Sequence, residues 1–343
     1  MATFEGSSFR IYLSLARHYR LGLSRGERLG FVDELEAAAA KVNQTGLSSV
    51  VGIGSRWPSG SGFLLADGLV VTSAHNIHGE SAQVHFADGS RREATSINAD
   101  RAGDLAVIQV STEGASPAAF AGSDPALGTP IFAVANPGGR GMRLSFGVVS
   151  GKDRDFRGPG GHPITGGFEH TAPLPHGSSG GPVLNFAGEV LGINTKRLGE
   201  GLYAALRTDE ALRHRLEALG KGEAVVRAYL GVGLLPGEVA RRLRAAVGLP
   251  ERNGVLVQHI DPDGPAAQAG ILKGDLLTKA LRAELSRASN LHRVLATAKP
   301  GDSIRLELLR GVEERTVEAI LASEPEKPHR EPRGSGRGHH RPH

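Results

Sequence analysis

Residues 176–184, HGSSGGPVL, place two adjacent serines among glycines just before a short apolar run. Glycine permits positive φ angles and lets a ligand approach the main chain closely. A serine in this setting is a candidate nucleophile, and a Gly/Ser-rich surface turn is the plain alternative. A serine nucleophile needs a base within hydrogen-bond reach and a third group that orients the base. The rest of the chain has to supply both.

A histidine and an aspartate that fit these two roles lie upstream. His75 comes directly after the apolar run in VVTSAHNI, and Asp104 comes directly before the apolar run in DRAGDLAVIQV. Taken singly, His75 is one of 14 histidines, and Asp104 is a residue type that commonly ends a turn. The chain order His75, Asp104, Ser179 is that of chymotrypsin-type triads, and it differs from the orders in subtilisin and the α/β-hydrolases. We interpret the three residues together as a serine-protease triad.

The segments around these residues predict short antiparallel strands. Between residues 48 and 205 the chain alternates brief runs of Val, Ile, Leu and Phe with Gly, Asp and Asn. Three dipeptides split such runs into predicted hairpins, namely Asp67-Gly68, Asp88-Gly89 and Ala187-Gly188. Helical patterns cover 32–42 and 209–219, each with acidic residues in its first turn. The sequence therefore predicts a mainly β domain that carries the triad.

Length and composition point to two domains and exclude several kinds of site. The 343 residues are 39% hydrophobic, enough for two cores. The absence of cysteine excludes disulfides, Cys-ligated zinc and thiol catalysis. The formal net charge of +4 is concentrated at the two ends of the chain, so no nucleic-acid-binding face is expected in the folded body. No stretch is long and apolar enough for a transmembrane span.

The first of the two ends carries no recognisable export signal. The stretch RIYLSLARHYRLGL is interrupted by charges, unlike the apolar core of a signal peptide. A basic surface helix and a loosely docked extension both fit this stretch. On these residues alone we expect a cytoplasmic protein.

Three blocks of the sequence together resemble HtrA-type (Deg) serine proteases. They are GSGFLLADGLVVTSAH, GDLAVIQV and GSSGGPVLNFAGEVLGIN, and the resemblance covers about residues 36–205. It implies a chymotrypsin-like double β-barrel in which His75 and Asp104 come from the first barrel and Ser179 from the second. It identifies Ser179 as the nucleophile, because Ser178 stands where the family usually has Asn. The backbone N–H groups of Gly177 and Ser179 would then form the oxyanion hole, and the chemistry needs neither a metal nor an organic cofactor.

The chain departs from the family at several points near this block. His176 stands where the family commonly has Pro, and Pro175 replaces a usual Asn. The segment 151–170 falls at the family's activation loop, and its glycines predict mobility. The residues Ala172, Pro173 and Leu174, along one wall of the expected specificity pocket, include no acid. We therefore expect cleavage after small or medium aliphatic residues rather than after Lys or Arg.

The C-terminal half resembles a PDZ domain in the HtrA-type arrangement. AYLGV matches the carboxylate-binding loop, which would be formed by Tyr229, Leu230, Gly231 and Val232, and VLVQHIDPDGPAAQAGILKGDLL matches the block that follows. TKALRAELSRASN departs from the family, which usually has an Asn-Gly turn there. A PDZ domain binds an extended C-terminal peptide by adding it to a sheet edge. An unrelated small α+β domain is the alternative.

The resulting prediction is a serine endopeptidase that acts on unfolded or damaged proteins, with PDZ-mediated capture of C-terminal peptides. The resemblance also implies a homotrimer and a periplasmic or other extracytoplasmic location. The rival hypotheses are a catalytically weak peptide-binding or chaperone protein on the same scaffold, and an α/β-hydrolase esterase using Asp209 and His214. The predicted divisions are a basic N-terminal extension (1–32), a trypsin-like protease domain (33–208), a linker helix (209–226), a PDZ domain (227–322) and a disordered basic tail (323–343). The tail's histidines (His329, His339, His340, His343) are expected to be solvated rather than to bind metal.

Overall fold

A computed structural model of the chain describes residues 25–54, 59–113, 115–158 and 163–325. Most of the predicted N-terminal extension and most of the predicted tail, with its four histidines, therefore lie outside the described residues. The chain divides into two compact units, Met1–Val225 and Val226–His343. Within the described ranges, no helix combines the length and the apolar character needed to cross a membrane.

The first half of unit one is an antiparallel sheet that follows helix α1 (Arg25–Thr45). Its seven strands run in the order β5-β4-β1-β2-β3-β7-β6. The strands are β1 (Val50–Ile53), β2 (Gly60–Ala66), β3 (Leu69–Thr72), β4 (Gln83–His85), β5 (Arg91–Glu93), β6 (Ser96–Asp100) and β7 (Leu105–Gln109). The predicted hairpins at Asp67-Gly68 and Asp88-Gly89 are present, and both glycines have positive φ. Strands β3 and β7, next to the two triad candidates, are almost entirely buried.

The second half of unit one closes on itself as a barrel with the order β10-β13-β12-β11-β8-β9. The strands are β8 (Pro130–Ala135), β9 (Arg143–Arg157), β10 (Pro163–His170), β11 (Pro182–Leu184), β12 (Val190–Gly199) and β13 (Leu202–Arg207). The predicted hairpin at Ala187-Gly188 joins β11 to β12. Phe132, Leu184 and Ile193 from the barrel share one buried cluster with Phe63 and Val107 from the sheet. Closure matters for the site because the loop that carries Ser179 lies between β10 and β11 in the chain and is hydrogen-bonded to Asn194 and Thr195 of β12.

The segment predicted as a mobile activation loop is mostly strand. Residues 151–157 end β9, and residues 163–170 form β10, which pairs with β9 in antiparallel fashion. The register shifts between Ile164 and Gly167 and twice more before His170, so the ladder is irregular. Gly151, Gly166 and Gly167, which contributed to the loop prediction, lie in these strands, where missing side chains are compatible with bulges.

Helix α2 (Glu210–Gly220) packs on the core of unit one. The Asp209 side chain accepts a hydrogen bond from the Leu212 N–H at 2.9 Å, which caps the helix. Leu212, Leu216 and Leu219 are buried, as their spacing along one helix face predicts. The helix predicted as a linker over 209–226 thus contributes apolar side chains to the protease core.

Unit two is a small α+β fold. Its main sheet has the order β15-β16-β17-β19-β20, with β18 paired to β17, and β14 pairs with β21. The strands are β14 (Ala228–Tyr229), β15 (Val232–Leu235), β16 (Val255–Ile260), β17 (Leu276–Ala280), β18 (Ala283–Glu284), β19 (Ser303–Arg310), β20 (Glu313–Ile320) and β21 (Ala322–Ser323). The helices are α3 (Gly237–Ala246), α4 (Pro265–Gln268) and α5 (Ala288–Thr297). The predicted fold class, mainly β with a small α+β second domain, is confirmed.

Candidate active site

The geometry joins His75 to Asp104 directly. His75 lies in a 3-10 turn, Ala74–Asn76, that follows β3, and Asp104 lies in the turn before β7. The His75 Nδ1 atom is 2.8 Å from Asp104 Oδ1, and the His75 backbone N–H donates to the same oxygen at 3.2 Å. Antiparallel pairing of β3 with β7 places these two strand ends side by side. The carboxylate therefore fixes both the ring and the main chain of His75.

A third group, which the sequence analysis missed, completes the contacts of Asp104. The Thr195 hydroxyl donates to Asp104 Oδ2 at 2.6 Å. Asp104 is only 2% exposed and Thr195 only 3% exposed. A buried carboxylate is costly unless hydrogen bonds satisfy it, and here both oxygens are satisfied. Thr195 lies on β12, far from Asp104 in sequence, in a stretch with no motif of its own, so only the assembled barrel shows its role.

Ser179 and Ser178 differ clearly in their surroundings. The Ser178 side chain is buried and donates to the Pro175 carbonyl at 2.8 Å. The Ser179 side chain reaches the cleft, where it donates to the Thr195 carbonyl at 2.9 Å. The residue that orients Asp104 therefore also contacts the candidate nucleophile. Proton transfer from Ser179 to His75 requires the hydroxyl to give up this hydrogen bond to the Thr195 carbonyl.

Glycines on both sides of the serines hold the loop in a conformation that other residues rarely adopt. Gly177 has φ +84 and Gly180 has φ +86. A Cβ atom added to Gly180 would collide with the Ser61 carbonyl and with the Thr72 side chain. The loop can lie this close to β2 and β3 only because Gly180 has no side chain.

Two carbonyl groups of the loop accept hydrogen bonds that hold their peptide groups in place. The Gly177 carbonyl accepts a hydrogen bond from Ser61 Oγ at 2.8 Å, and the Ser178 carbonyl accepts one from the Gly181 N–H at 3.1 Å. In a trans peptide the N–H points away from the preceding carbonyl, so the Ser179 N–H points away from Gly181. Among the described residues, no hydrogen bond uses the N–H of Gly177 or of Ser179. Both predicted oxyanion-hole donors are thus left for a ligand.

Two buried polar residues, Asn194 and His170, support the nucleophile loop. Asn194 is hydrogen-bonded through its main chain to Gly180 and Gly181, and its side chain donates to the Gly181 carbonyl at 3.1 Å. His170 Nε2 lies 2.9 Å from Asn194 Oδ1, and the His170 ring stacks on Tyr203. His170 is fully buried, and this burial lowers the pKa of its imidazole to about 4, against the opposing effect of the Asn194 hydrogen bond. Neutral His170 is therefore part of the support of the nucleophile loop.

Ser179 opens into a cleft of about 270 Å³ within unit one. The lining comprises Leu174, Pro175, His176, Gly177, Ser178, Ser179, Asn194, Thr195, Lys196, Arg197, Tyr203 and Ala204. Leu174, Tyr203 and Ala204 give it an apolar part, as the sequence predicted for Leu174. Beyond Ile193, β12 pairs with β13 on one side only, so its other edge, at residues 195–197, lies next to Ser179. An extended peptide fits such an edge.

The four residues predicted to bind a peptide carboxylate in unit two lie at one end of an edge strand. Tyr229 ends β14, Leu230 is buried, Gly231 has φ +83 and Val232 begins β15. Among the described residues, strand β15 pairs with β16 alone, so no described strand covers its second edge. The Tyr229 hydroxyl donates to Asp261 Oδ2 at 3.0 Å. The pKa of the Tyr229 phenol is raised, mainly by burial and in second place by this hydrogen bond.

The fold around Ser179 contradicts the α/β-hydrolase hypothesis. An α/β-hydrolase has a helix directly after the nucleophile, whereas Ser179 is followed by the strand β11. Asp209 and His214, which that hypothesis takes as the catalytic acid and histidine, lie in other structural surroundings. Asp209 caps α2, and the His214 side chain is 70% exposed on the same helix.

Comparison with known proteins assigns a family to each unit. Residues 60–193 match the family described as a trypsin-like peptidase domain, and residues 229–321 match the PDZ domain family. A probable periplasmic serine endoprotease, DegP-like, of Brucella suis is 32% identical over 276 residues, 78% of this chain and 53% of that protein. The chloroplastic Protease Do-like 1 of Arabidopsis thaliana is 30% identical over 294 residues, 78% of this chain and 64% of that protein. The chain thus spans about half the length of the Brucella relative.

Solved structures show the same two-domain composition. The HtrA-type protease AlgW with a tripeptide matches at a TM-score of 0.71 and 25% identity, over 84% of this chain and 98% of that one. The serine endoprotease from Yersinia pestis matches at a TM-score of 0.64 and 25% identity, over 83% of this chain and 98% of that one. The resemblance inferred from three sequence blocks is confirmed.

Proposed function

The chain is of the HtrA type, a trypsin-like peptidase domain followed by one PDZ domain, and we propose that it is a serine endopeptidase with Ser179 as its nucleophile. The observation that carries this proposal is the chain of contacts Thr195–Asp104–His75, with Ser179 bonded to the same Thr195. These contacts support the proposal because they join residues from three separate sequence blocks, with the acid hydrogen-bonded to the base that a serine nucleophile needs.

In the proposed mechanism, His75 takes the proton of Ser179 as the hydroxyl oxygen attacks the carbonyl carbon of the scissile peptide bond. The oxyanion that forms accepts hydrogen bonds from the N–H groups of Gly177 and Ser179. His75 then gives the proton to the leaving amine, the C–N bond breaks and an acyl-enzyme remains. Asp104 keeps the imidazole in the tautomer with its proton on Nδ1 and stabilises its charged form. Water, with His75 again as the base, hydrolyses the acyl-enzyme and frees Ser179.

Digestion of casein by the intact chain tests the proposal. Ser179→Ala should remove most activity, because loss of a triad nucleophile typically lowers kcat by about 10⁶. Ser178→Ala is the matched control, because it removes the neighbouring hydroxyl, whose partner is the Pro175 carbonyl. Equal effects of the two substitutions would refute the assignment of the nucleophile.

One observation favours the rival hypothesis of a catalytically weak peptide-binding protein. The Ser179 hydroxyl is bonded to the Thr195 carbonyl, so the proton relay is not assembled in this conformation. Catalytic hydrogen bonds in ligand-free enzymes are often formed only when substrate binds, which is why we favour the endopeptidase. A fluorophosphonate probe separates the two hypotheses, because only an activated serine reacts with it.

We also propose that the PDZ domain captures exposed C-terminal tails of unfolded or damaged proteins. The loop Tyr229–Leu230–Gly231–Val232 and the free edge of β15 support this mode of binding, with the terminal carboxylate held by loop N–H groups. Val232, Leu234 and Val294 are partly buried against the core of unit two and offer apolar contacts. The full chain should then digest casein differently when a peptide ending in Val is added, whereas a chain ending at Val225, which keeps α2 and the whole of unit one, should not respond to the peptide.

The assembly and compartment belong to the same proposal. The Brucella relative is named a periplasmic protease, and on that likeness we propose an extracytoplasmic location and a homotrimer. Sedimentation at micromolar concentration tests the trimer, and a monomer would contradict it.

A further inference from the structure

The cleft beside Ser179 has a strongly one-sided charge. Three basic side chains line it, those of His176, Lys196 and Arg197, and its described lining contains neither Asp nor Glu. Lys196 and Arg197 are exposed, and no ion pair among the described residues involves either of them. The Asp104 carboxylate next to the serine is buried and hydrogen-bonded to His75 and Thr195. A ligand in the cleft would therefore meet basic residues with no acidic residue in the described lining.

The two cations are held in place by main-chain acceptors. Lys196 Nζ donates to the Arg157 carbonyl at 2.9 Å, and Arg197 Nε donates to the Gly199 carbonyl at 3.0 Å. These acceptors are neutral, so they orient the side chains without neutralising them. Each cation keeps further N–H donors for a carboxylate. These contacts orient the two cations, and we call Lys196 and Arg197, which both belong to the lining of the cleft, the positive patch.

The patch lies within reach of a substrate's residues near the scissile bond. Lys196 and Arg197 come one and two residues after Thr195, whose carbonyl accepts the Ser179 hydroxyl. They occupy the edge of β12 that no described strand covers. An extended peptide advances roughly 3.3 Å per residue, so one lying along this edge would place residues within about three positions of the cleaved bond next to these cations.

We propose that Lys196 and Arg197 select acidic peptide segments, with Asp or Glu within three residues of the scissile bond. This inference rests on the proposed function, because it assigns the substrate class of the same cleft. The apolar part of the cleft at Leu174, Tyr203 and Ala204 still takes an aliphatic side chain at the cleaved residue. Complementary charge around an otherwise ordinary pocket gives specificity and faster association more than a large gain in affinity.

The test uses the full-length chain and pairs of internally quenched peptides with amidated C-termini, which removes the carboxylate that a PDZ domain captures. The peptides of a pair have Glu or Gln at the second and third residues on one side of the cleaved bond, and two pairs cover the two sides. We expect kcat/KM to be about 3–10-fold higher for Glu than for Gln in one of the two pairs. The ratio should fall towards one in 0.5 M NaCl, because salt screens exposed charges.

Substitution distinguishes the patch from the net charge of the protein. Lys196→Gln with Arg197→Gln should bring the Glu-to-Gln ratio close to one. The matched control, Arg91→Gln with Lys221→Gln, removes the same charge from exposed positions of unit one outside the cleft and should leave the ratio unchanged. An unchanged ratio in the Lys196/Arg197 variant, or equal loss in both variants, would overturn the proposal.

Binding to the full-length Ser179→Ala chain separates this inference from the proposed function. Fluorescence anisotropy should show tighter binding of the Glu peptide, and the Lys196/Arg197 substitutions should abolish the difference. Ser179-dependent cleavage with no preference for Glu would refute the acidic selectivity and leave the peptidase standing. Selective binding without any Ser179-dependent cleavage would refute the peptidase and keep the acidic patch.

Discussion

Asp104 in the active site and Leu281 in the second unit share an unusual backbone conformation in very different surroundings. Asp104 has φ +54 and Leu281 has φ +52, values that L-residues other than Gly, Asn and Asp seldom adopt. Asp104 is buried, and its carboxylate holds His75 and accepts the Thr195 hydroxyl. Leu281 is 55% exposed in the turn between β17 and β18. The same positive φ therefore accompanies a buried, hydrogen-bonded carboxylate at Asp104 and an exposed apolar side chain at Leu281.

The largest expected effect comes from changing the charge of Asp104 while keeping its shape. Asn also tolerates positive φ, so Asp104→Asn should fold normally. It should lower kcat by about 10⁴, because the amide no longer selects the correct imidazole tautomer. Steady-state kinetics with a cleaved peptide, together with thermal unfolding, measure both quantities.

Asp153 offers a matched control for this substitution. Asp153 has φ +48, and its exposed carboxylate lies 3.5 Å from Arg207. Asp153→Asn should leave kcat within about twofold, because exposed ion pairs contribute little. A comparable loss of kcat in both variants would mean that the positive φ, rather than the role of Asp104, is what matters.

A pair of glycines separates backbone strain from steric collision. Gly180 and Gly89 both have φ +86, but a Cβ on Gly180 meets the Ser61 carbonyl whereas a Cβ on Gly89 meets nothing within 4 Å. Gly89→Ala should cost about 1 kcal/mol of unfolding free energy, the strain alone. Gly180→Ala should cost at least about 2 kcal/mol and abolish activity, because the nucleophile loop must move. Urea unfolding and peptidase assays report these effects, and equal costs would contradict the close packing.

Acid should weaken the support of the nucleophile loop through His170. The pKa of His170 is about 4 in the folded chain and 6.5 in its ordinary state. Between these values the unfolded chain binds more protons, so the free energy of unfolding falls as the pH decreases from 6.5 to 4, by up to about 3 kcal/mol from this residue. His170→Gln removes this contribution, and its unfolding free energy should depend less on pH over that range.

The exposed His214 supplies the control for the pH experiment, since its side chain is 70% exposed. His214→Gln should change the dependence of the unfolding free energy on pH less than His170→Gln does. Identical slopes for the parent chain and His170→Gln would show that burial of His170 does not drive the acid sensitivity.

The smallest expected effect is that of a substitution at Leu281, the exposed residue with positive φ. Leu281→Asn should stabilise the second unit by about 0.5–1 kcal/mol, because Asn adopts positive φ with less strain. Hydrogen exchange at β17 and β18 in the full chain measures this local gain. Leu272→Asn is the control, since it removes a leucine that is 51% exposed and lacks positive φ. Equal protection in both variants would mean that removing an exposed leucine, not relieving strain, is responsible.

The sequence predicted some features of the fold and the candidate site and missed others, because some are indicated by neighbouring residues and others depend on contacts between distant segments. The hairpin at Asp67-Gly68 carries its evidence within a few residues, so its strands were predicted from the local pattern. The triad candidates lie far apart in the sequence, and they were predicted from their order and from the resemblance of three blocks taken together. Thr195 and His170 contact the site only because the barrel closes, and no motif marks either residue. Asn194 ends the third block of the resemblance, but its contact with the loop likewise depends on the closed barrel. Residues 151–157 and 163–170 were expected to belong to a mobile loop, but they form an irregular strand pair, with which Gly151, Gly166 and Gly167 are compatible.

Reaction of the intact chain with a fluorophosphonate probe, followed by peptide mapping of the adduct, tests the central claim most directly. We expect a single adduct on Ser179 that disappears in Asp104→Asn and persists in Ser178→Ala. An adduct on Ser178, or no adduct on a chain shown to be folded, would contradict the assignment of Ser179 as an activated nucleophile.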